Sequence, residues 1–132
     1  MTLVVDAGVV VAALVDDGPE GRWAESVLTS GPLAAPHQMP VEVTNILRRA
    51  TLAGSLSSEI ATLAHADLLR LRAELFSYEP MAHRVWELRS TVTSYDAWYV
   101  ALAEELDAPL ATVDRRLSRA SGPRCHFQVP PG

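Results

Sequence analysis

At 132 residues, 48% of them hydrophobic, the chain suits one domain, 1–132, with a core that needs no disulfide or structural metal, which excludes a disordered or low-complexity protein. A net charge of −5 and a pI near 5.3 count against a general nucleic-acid coat protein, which would be basic, but leave room for a nuclease whose own site acids add negative charge. The lone Cys125 forms no internal disulfide and fits a reducing cytoplasm, and the first basic residue, Arg22, comes too late for the charged head of a secretory signal.

Leu3-Val4-Val5 reads as a short buried strand that closes on Asp6. The apolar run Ala7–Val15 continues as a helix stopped by Asp16-Asp17-Gly18-Pro19, and it is far too short to span a bilayer, so no membrane segment is predicted. A helix over 19–29 starts on Pro19 and ends by Gly31, and 33–35 is a second strand. A longer helix, from His37 or Pro40 to Ala53, presents Val43, Ile46, Leu47 and Ala50 on one face and closes at Gly54. Ser57 caps the next helix, which runs to Leu71. Residues 74–78 read as a strand, 80–89 as a helix, and 94–106 as a helix capped by Thr93 or Ser94. A strand over 109–112 leads to Asp114, 115–120 is a short helix, 126–129 is a final edge strand, and the tail 130–132 is expected to be loose. Strands alternating with helices imply βαβ units, hence an α/β fold with a parallel sheet covered by helices on both faces.

Four carboxylates stand out against this pattern. Asp6 and Asp114 follow apolar runs at strand ends, where open α/β sheets bind ligands. Glu42 and Asp96 lie near helix starts, where the dipole favours a negative charge. Taken singly, each acid reads more often as a cap or turn residue. Four of them from four elements can share one crevice, and such a cluster repels itself unless a divalent cation joins it. Mg²⁺ takes one or two direct carboxylates and keeps several waters, so the other acids can hold those waters or a second ion. Two such ions clamp a phosphodiester for in-line attack by water, so phosphate-ester hydrolysis is the expected chemistry. Thr112, two residues before Asp114, is placed to hydrogen-bond a carboxylate or a metal-bound water.

All basic residues are arginine. Arg115 and Arg116, just after Asp114, are candidate contacts to a nucleic-acid phosphate backbone such as that of RNA, with an acidic partner segment as the other use and a plain surface role as the third. Arg48, Arg49 and Arg119 are weaker candidates of the same kind. The four histidines, 37, 65, 83 and 126, lack metal-ligand spacing. Trp23, Trp86 and Trp98 are expected in the core or at a dimer interface. No glycine-rich phosphate loop is present, which argues against an NTPase.

The segments Val4-Val5-Asp6-Ala7, Val41-Glu42-Val43, Tyr95-Asp96-Ala97-Trp98-Tyr99-Val100-Ala101-Leu102-Ala103 and Leu110-Ala111-Thr112-Val113-Asp114-Arg115-Arg116-Leu117 occur in that order. Together they resemble the PIN-domain family, and in particular the VapC toxins of bacterial toxin–antitoxin pairs. The resemblance spans nearly the whole chain. It implies a three-layer α/β/α PIN-like fold with a short parallel sheet flanked by helices. It also implies a Mg²⁺- or Mn²⁺-dependent endoribonuclease acting on RNA such as tRNA or rRNA, a homodimer, and inhibition by a VapB-type antitoxin. The family's acidic positions map onto Asp6, Glu42, Asp96 and Asp114, with Asp6 and Asp96 as direct metal ligands. Two departures matter. The family often has a hydroxyl residue where this chain has Gly8, and some members carry a further acid where Arg115 and Arg116 stand. Both departures predict weak metal binding without RNA, or a single ion.

Two other readings compete. A catalytically silent binding module would keep the fold and lose the chemistry, and Gly8 leans that way. A phosphatase or phosphoacceptor domain would use Asp6 as nucleophile, but it leaves Glu42 and Asp96 without a role, and Asp6-Ala7-Gly8 lacks a second aspartate.

Overall fold

The computed structural model describes residues 1–132. Three apolar residues in a row, Leu3-Val4-Val5, are all buried, as expected of a parallel strand with a neighbour on each edge and helices on both faces. This strand, β1 (Leu3–Val5), is the centre of a five-stranded parallel sheet with β2 (Leu33–Pro36), β3 (Ala73–Phe76), β4 (Leu110–Ala111) and β5 (Phe127–Gln128), in the order β3-β2-β1-β4-β5. Val4 pairs with Ala34 on one side and Leu110 on the other, and Val5 pairs with Ala111. The chain steps outward from β1 to β3, then returns across the sheet for β4 and β5. The winding therefore reverses between β1 and β4, where a parallel sheet opens a crevice at its carboxyl end.

The helices are α1 (Ala7–Val15), α2 (Pro19–Leu28), α3 (Met39–Leu52), α4 (Ser58–Arg70), α5 (Ala82–Glu87), α6 (Ser94–Glu105) and α7 (Arg115–Ser118). With the sheet they make the three-layer α/β/α arrangement that the sequence predicts. α1 packs against α2, α3 and α4, while α6 lies on β1, β2 and β4 and pairs with α5. Ala97 and the run Tyr99-Val100-Ala101-Leu102-Ala103 are all buried, so α6 is apolar nearly all round and enclosed by protein. Each fully buried Val or Leu of this core stabilises the fold by about 1.5–3 kcal/mol. Gly54, with φ of +78°, ends the α3 segment in the left-handed conformation that glycine adopts without strain. No helix is long and apolar enough to cross a membrane.

Two expectations need correction. The helix expected over 80–89 is a 3-10 turn, Glu79–Met81, followed by the short α5. Pro80 sits inside that turn, where its missing N–H costs nothing. The tail is not wholly loose either: Pro130 is buried and its carbonyl accepts a hydrogen bond from the Arg115 guanidinium. β5 pairs alongside β4, and that pairing carries the following residues back over Arg115.

One tie was not legible in advance. The Arg84 guanidinium meets the Glu104 carboxylate with two bonds, 2.7 Å from Nε and 3.1 Å from Nη2. The same Nη2 donates to the Gly122 carbonyl at 2.9 Å, and the Arg124 N–H donates to Glu104 Oε2 at 2.7 Å. α5, α6 and the segment leading into β5 are thereby fastened together.

Candidate active site

Asp6 leaves β1 in an extended conformation and caps α1, its Oδ1 accepting the Val9 N–H at 3.0 Å. Asp114 does the same for α7, where Oδ1 accepts the N–H groups of Arg116 at 2.9 Å and Leu117 at 3.3 Å. Asp96 is in the first turn of α6, and its N–H donates to the capping Thr93 hydroxyl at 3.2 Å. Glu42 lies in the first turns of α3, and its Oε1 accepts the Tyr99 hydroxyl at 2.9 Å. The capping roles foreseen for single acids are therefore real for Asp6 and Asp114, and they orient both carboxylates at the crevice between β1 and β4.

The four acids are brought into one electrostatic neighbourhood. Asp6 is held up from 3.8 to about 6, first by burial and then by the charges of Asp96 and Glu42, against hydrogen bonds from Thr112 and the Val9 N–H. Glu42 is raised by burial and by Asp96, with the Tyr99 hydrogen bond opposing. Asp96 is raised by burial and by Asp114, opposed by Thr93 and Arg116. Tyr99 is raised by burial and by the Glu42 charge, so its hydroxyl keeps its proton and donates.

Thr112 is the one buried polar side chain that is fully enclosed. Its hydroxyl lies beside the Asp6 carboxylate, where it favours the ionised form, and accepts the Asp114 N–H at 3.0 Å, so one side chain links the two strand-end acids. Thr91, Thr93, Asp96, Asp114 and Arg116 line an open cleft of about 260 Å³ between α6 and α7. No three His, Cys, Asp or Glu side chains close on a common point. An all-oxygen set of this kind, with Asp6, Glu42 and Asp96 partly desolvated and set near like charges, fits a hard divalent ion that keeps much of its water.

The two arginines foreseen as RNA contacts differ. Arg115 is half-buried and engaged with Pro130, whereas Arg116 is exposed, its Nε 3.7 Å from Asp114 Oδ1. At Gly8, a Cβ would stand 2.9 Å from Val113 Cγ2, so the side chain of Val113 fills the place that a hydroxyl residue would need. Trp23 and Trp98 pack against the core, but Trp86 is 66% exposed with the Arg89 guanidinium 4.5 Å over its ring. Cys125 is away from the acids, and burial pushes its thiol up to about 11, so it is no nucleophile.

Sequence reasoning missed Tyr99 and Gln38. Gln38 Nε2 donates to the Tyr95 carbonyl at 2.8 Å and ties the start of α3 to that of α6. Tyr99 follows Asp96 by three residues, a spacing that puts both on one helix face and could have flagged it.

Comparison with known proteins agrees with this architecture. The PIN domain family model matches residues 3–123. Ribonuclease VapC1 of Mycobacterium tuberculosis is 40% identical over 127 residues, 96% of each chain. Ribonuclease VapC9 of the same organism is 34% identical over 129 residues, 98% of each chain. Among solved structures, VapBC2 from Rickettsia felis, bound to a DNA fragment from its promoter, has a chain that superposes with a TM-score of 0.70 at 15% identity, covering 99% of this chain and all of that one, which shows the fold.

Proposed function

The chain belongs to the PIN-domain family, and from that membership we propose that it is the ribonuclease toxin of a toxin–antitoxin pair, a metal-dependent endoribonuclease of a single domain acting in the cytoplasm. The observation that carries the chemistry is the Asp6 carboxylate, held up to about 6 by burial and by the neighbouring acids Asp96 and Glu42. A site that stores so much uncompensated negative charge is built for a cation.

Asp6 and Asp96 are the direct ligands in this reading, with Glu42 and Asp114 holding ligated water or a second ion. Mg²⁺ or Mn²⁺, when bound, supplies charge neutralisation of the scissile phosphate and an acidified water. Thr112 and the Val9 N–H hold the Asp6 carboxylate, so it need not reorganise to receive its ligand, and the Thr93 cap sets the backbone from which Asp96 projects. Arg116, exposed on the rim of the cleft, offers its guanidinium to a substrate phosphate. Arg115 serves the tail instead. RNA of the tRNA or rRNA class, a VapB-type antitoxin and a second copy of the chain are the partners of this reading. Exposed Leu52 at the end of α3 and Ile60 and Leu63 on α4 support a covering partner.

The test is cleavage of total cellular RNA by antitoxin-free protein with Mg²⁺, Mn²⁺ or EDTA, beside Asp6→Asn and Asp96→Asn. Discrete metal-dependent fragments, lost in both variants, are expected. No cleavage by folded protein with any metal would favour the silent binding module, to which the Gly8–Val113 packing leans.

A further inference from the structure

Three of the four acids come from chain segments that meet at one side chain. Tyr99 is on α6, one turn beyond Asp96, and is 1% exposed. Its hydroxyl donates to Glu42 Oε1 on α3 at 2.9 Å. The backbone N–H of Ala7, the first residue of α1 and the neighbour of Asp6, acts on the same hydroxyl and opposes the rise in its pKa. That N–H is one of the donors that a helix start leaves without an intrahelical partner. The hydroxyl thus joins the junction of β1 and α1, the start of α3 and the start of α6.

We infer that Tyr99 is a positioning residue that holds the Glu42 carboxylate toward Asp6 and Asp96, and so sets the affinity of the acid cluster for its divalent ion. The inference rests on the metal-site reading above. Glu42 is on a long side chain in the first turns of its helix and makes no other hydrogen bond with its carboxylate. Freed from Tyr99, it would rotate toward water, away from two like charges. A donor behind a carboxylate that holds the ion or its ligated water removes that choice, and loss of such supporting partners typically weakens metal binding by about 10–100-fold. The ring of Tyr99 belongs to the core, whereas its oxygen belongs to the site, so the two roles separate in Tyr99→Phe.

The experiment is Mn²⁺ binding to the free protein, followed by electron paramagnetic resonance, for wild type, Tyr99→Phe, Glu42→Gln and the double variant, with melting curves for each. Tyr99→Phe should bind Mn²⁺ about ten-fold more weakly, and should do so by less than about two-fold in the Glu42→Gln background, because the charge that Tyr99 positions is then already gone. In RNA cleavage, the Mn²⁺ concentration for half-maximal rate should rise by a similar factor while the rate at saturating Mn²⁺ stays close to wild type. Should Tyr99→Phe melt early, Glu42→Asp, which keeps the charge but withdraws it from the hydroxyl, carries the same expectation. Wild-type affinity in Tyr99→Phe, or a full loss that persists without Glu42, would overturn the inference while leaving the metal site intact. Wild-type protein that binds no Mn²⁺ would overturn both.

Discussion

Asp6→Asn should make the metal-free protein more stable at neutral pH, while abolishing its chemistry. In the folded chain the Asp6 carboxyl is raised from 3.8 to about 6 by burial and by the charges of Asp96 and Glu42. A folded-state value above the unfolded one means that the folded protein holds the proton more tightly. The ionised group therefore opposes folding above about pH 6, and the opposition is relieved as pH falls from there toward 4. A rise of roughly two units, at about 1.4 kcal/mol each, amounts to about 3 kcal/mol at pH 7.5. For a chain of this size that is a melting shift on the order of 10 °C. Asparagine keeps the cap on α1 and carries no charge, so Asp6→Asn should recover most of it. The assay is chemical denaturation in EDTA between pH 4.5 and 7.5, with and without the substitution. Wild type should gain stability as pH falls to about 5, with a shallower dependence in Asp6→Asn. Added Mg²⁺ should stabilise the wild type at pH 7.5 and leave Asp6→Asn nearly unchanged. An Asp6→Asn protein less stable than wild type at pH 7.5 would refute the claim that this carboxylate is held at a cost.

Other outcomes follow from the packing. Arg84→Met removes both bonds to Glu104 and leaves a carboxylate, itself only 15% exposed, facing the Arg124 N–H alone. A loss of about 2–4 kcal/mol in urea denaturation is expected, with faster amide exchange in residues 122–126; unchanged exchange there would deny the fastening role. Gly8→Ser forces Val113 Cγ2 out of a 2.9 Å approach and should cost about 1–3 kcal/mol, which Gly8→Ser/Val113→Ala should largely restore when both are melted side by side.

The candidate site was legible because its signals are local. The run Leu3-Val4-Val5 announces a buried strand by composition alone, and an acid directly after it has few places to go. The caps were legible for the same reason: Ser57 and Thr93 act within three residues of themselves. The helix expected over 80–89 is shorter because α5 ends at Glu87 with Leu88 as its cap, an end that no glycine or proline marks in the sequence. Tail residue Pro130 was misjudged because its burial depends on Arg115, which lies fifteen positions earlier in the chain.

By itself, then, the amino-acid sequence determined the parallel α/β class, the element order and the four acids with Thr112 behind them. All of these follow from hydrophobic period, turn chemistry and the rarity of charge beside apolar runs, which act over a few residues. Only the tertiary structure decided that Tyr99 grips Glu42 across 57 positions, that Arg84 clamps Glu104, that Val113 fills the space above Gly8, and that Arg115 turns inward while Arg116 stays exposed beside Asp114. Those pairings depend on strand order and on how each helix is rotated against the sheet. The whole core settles these by packing at once, and no local pattern carries them.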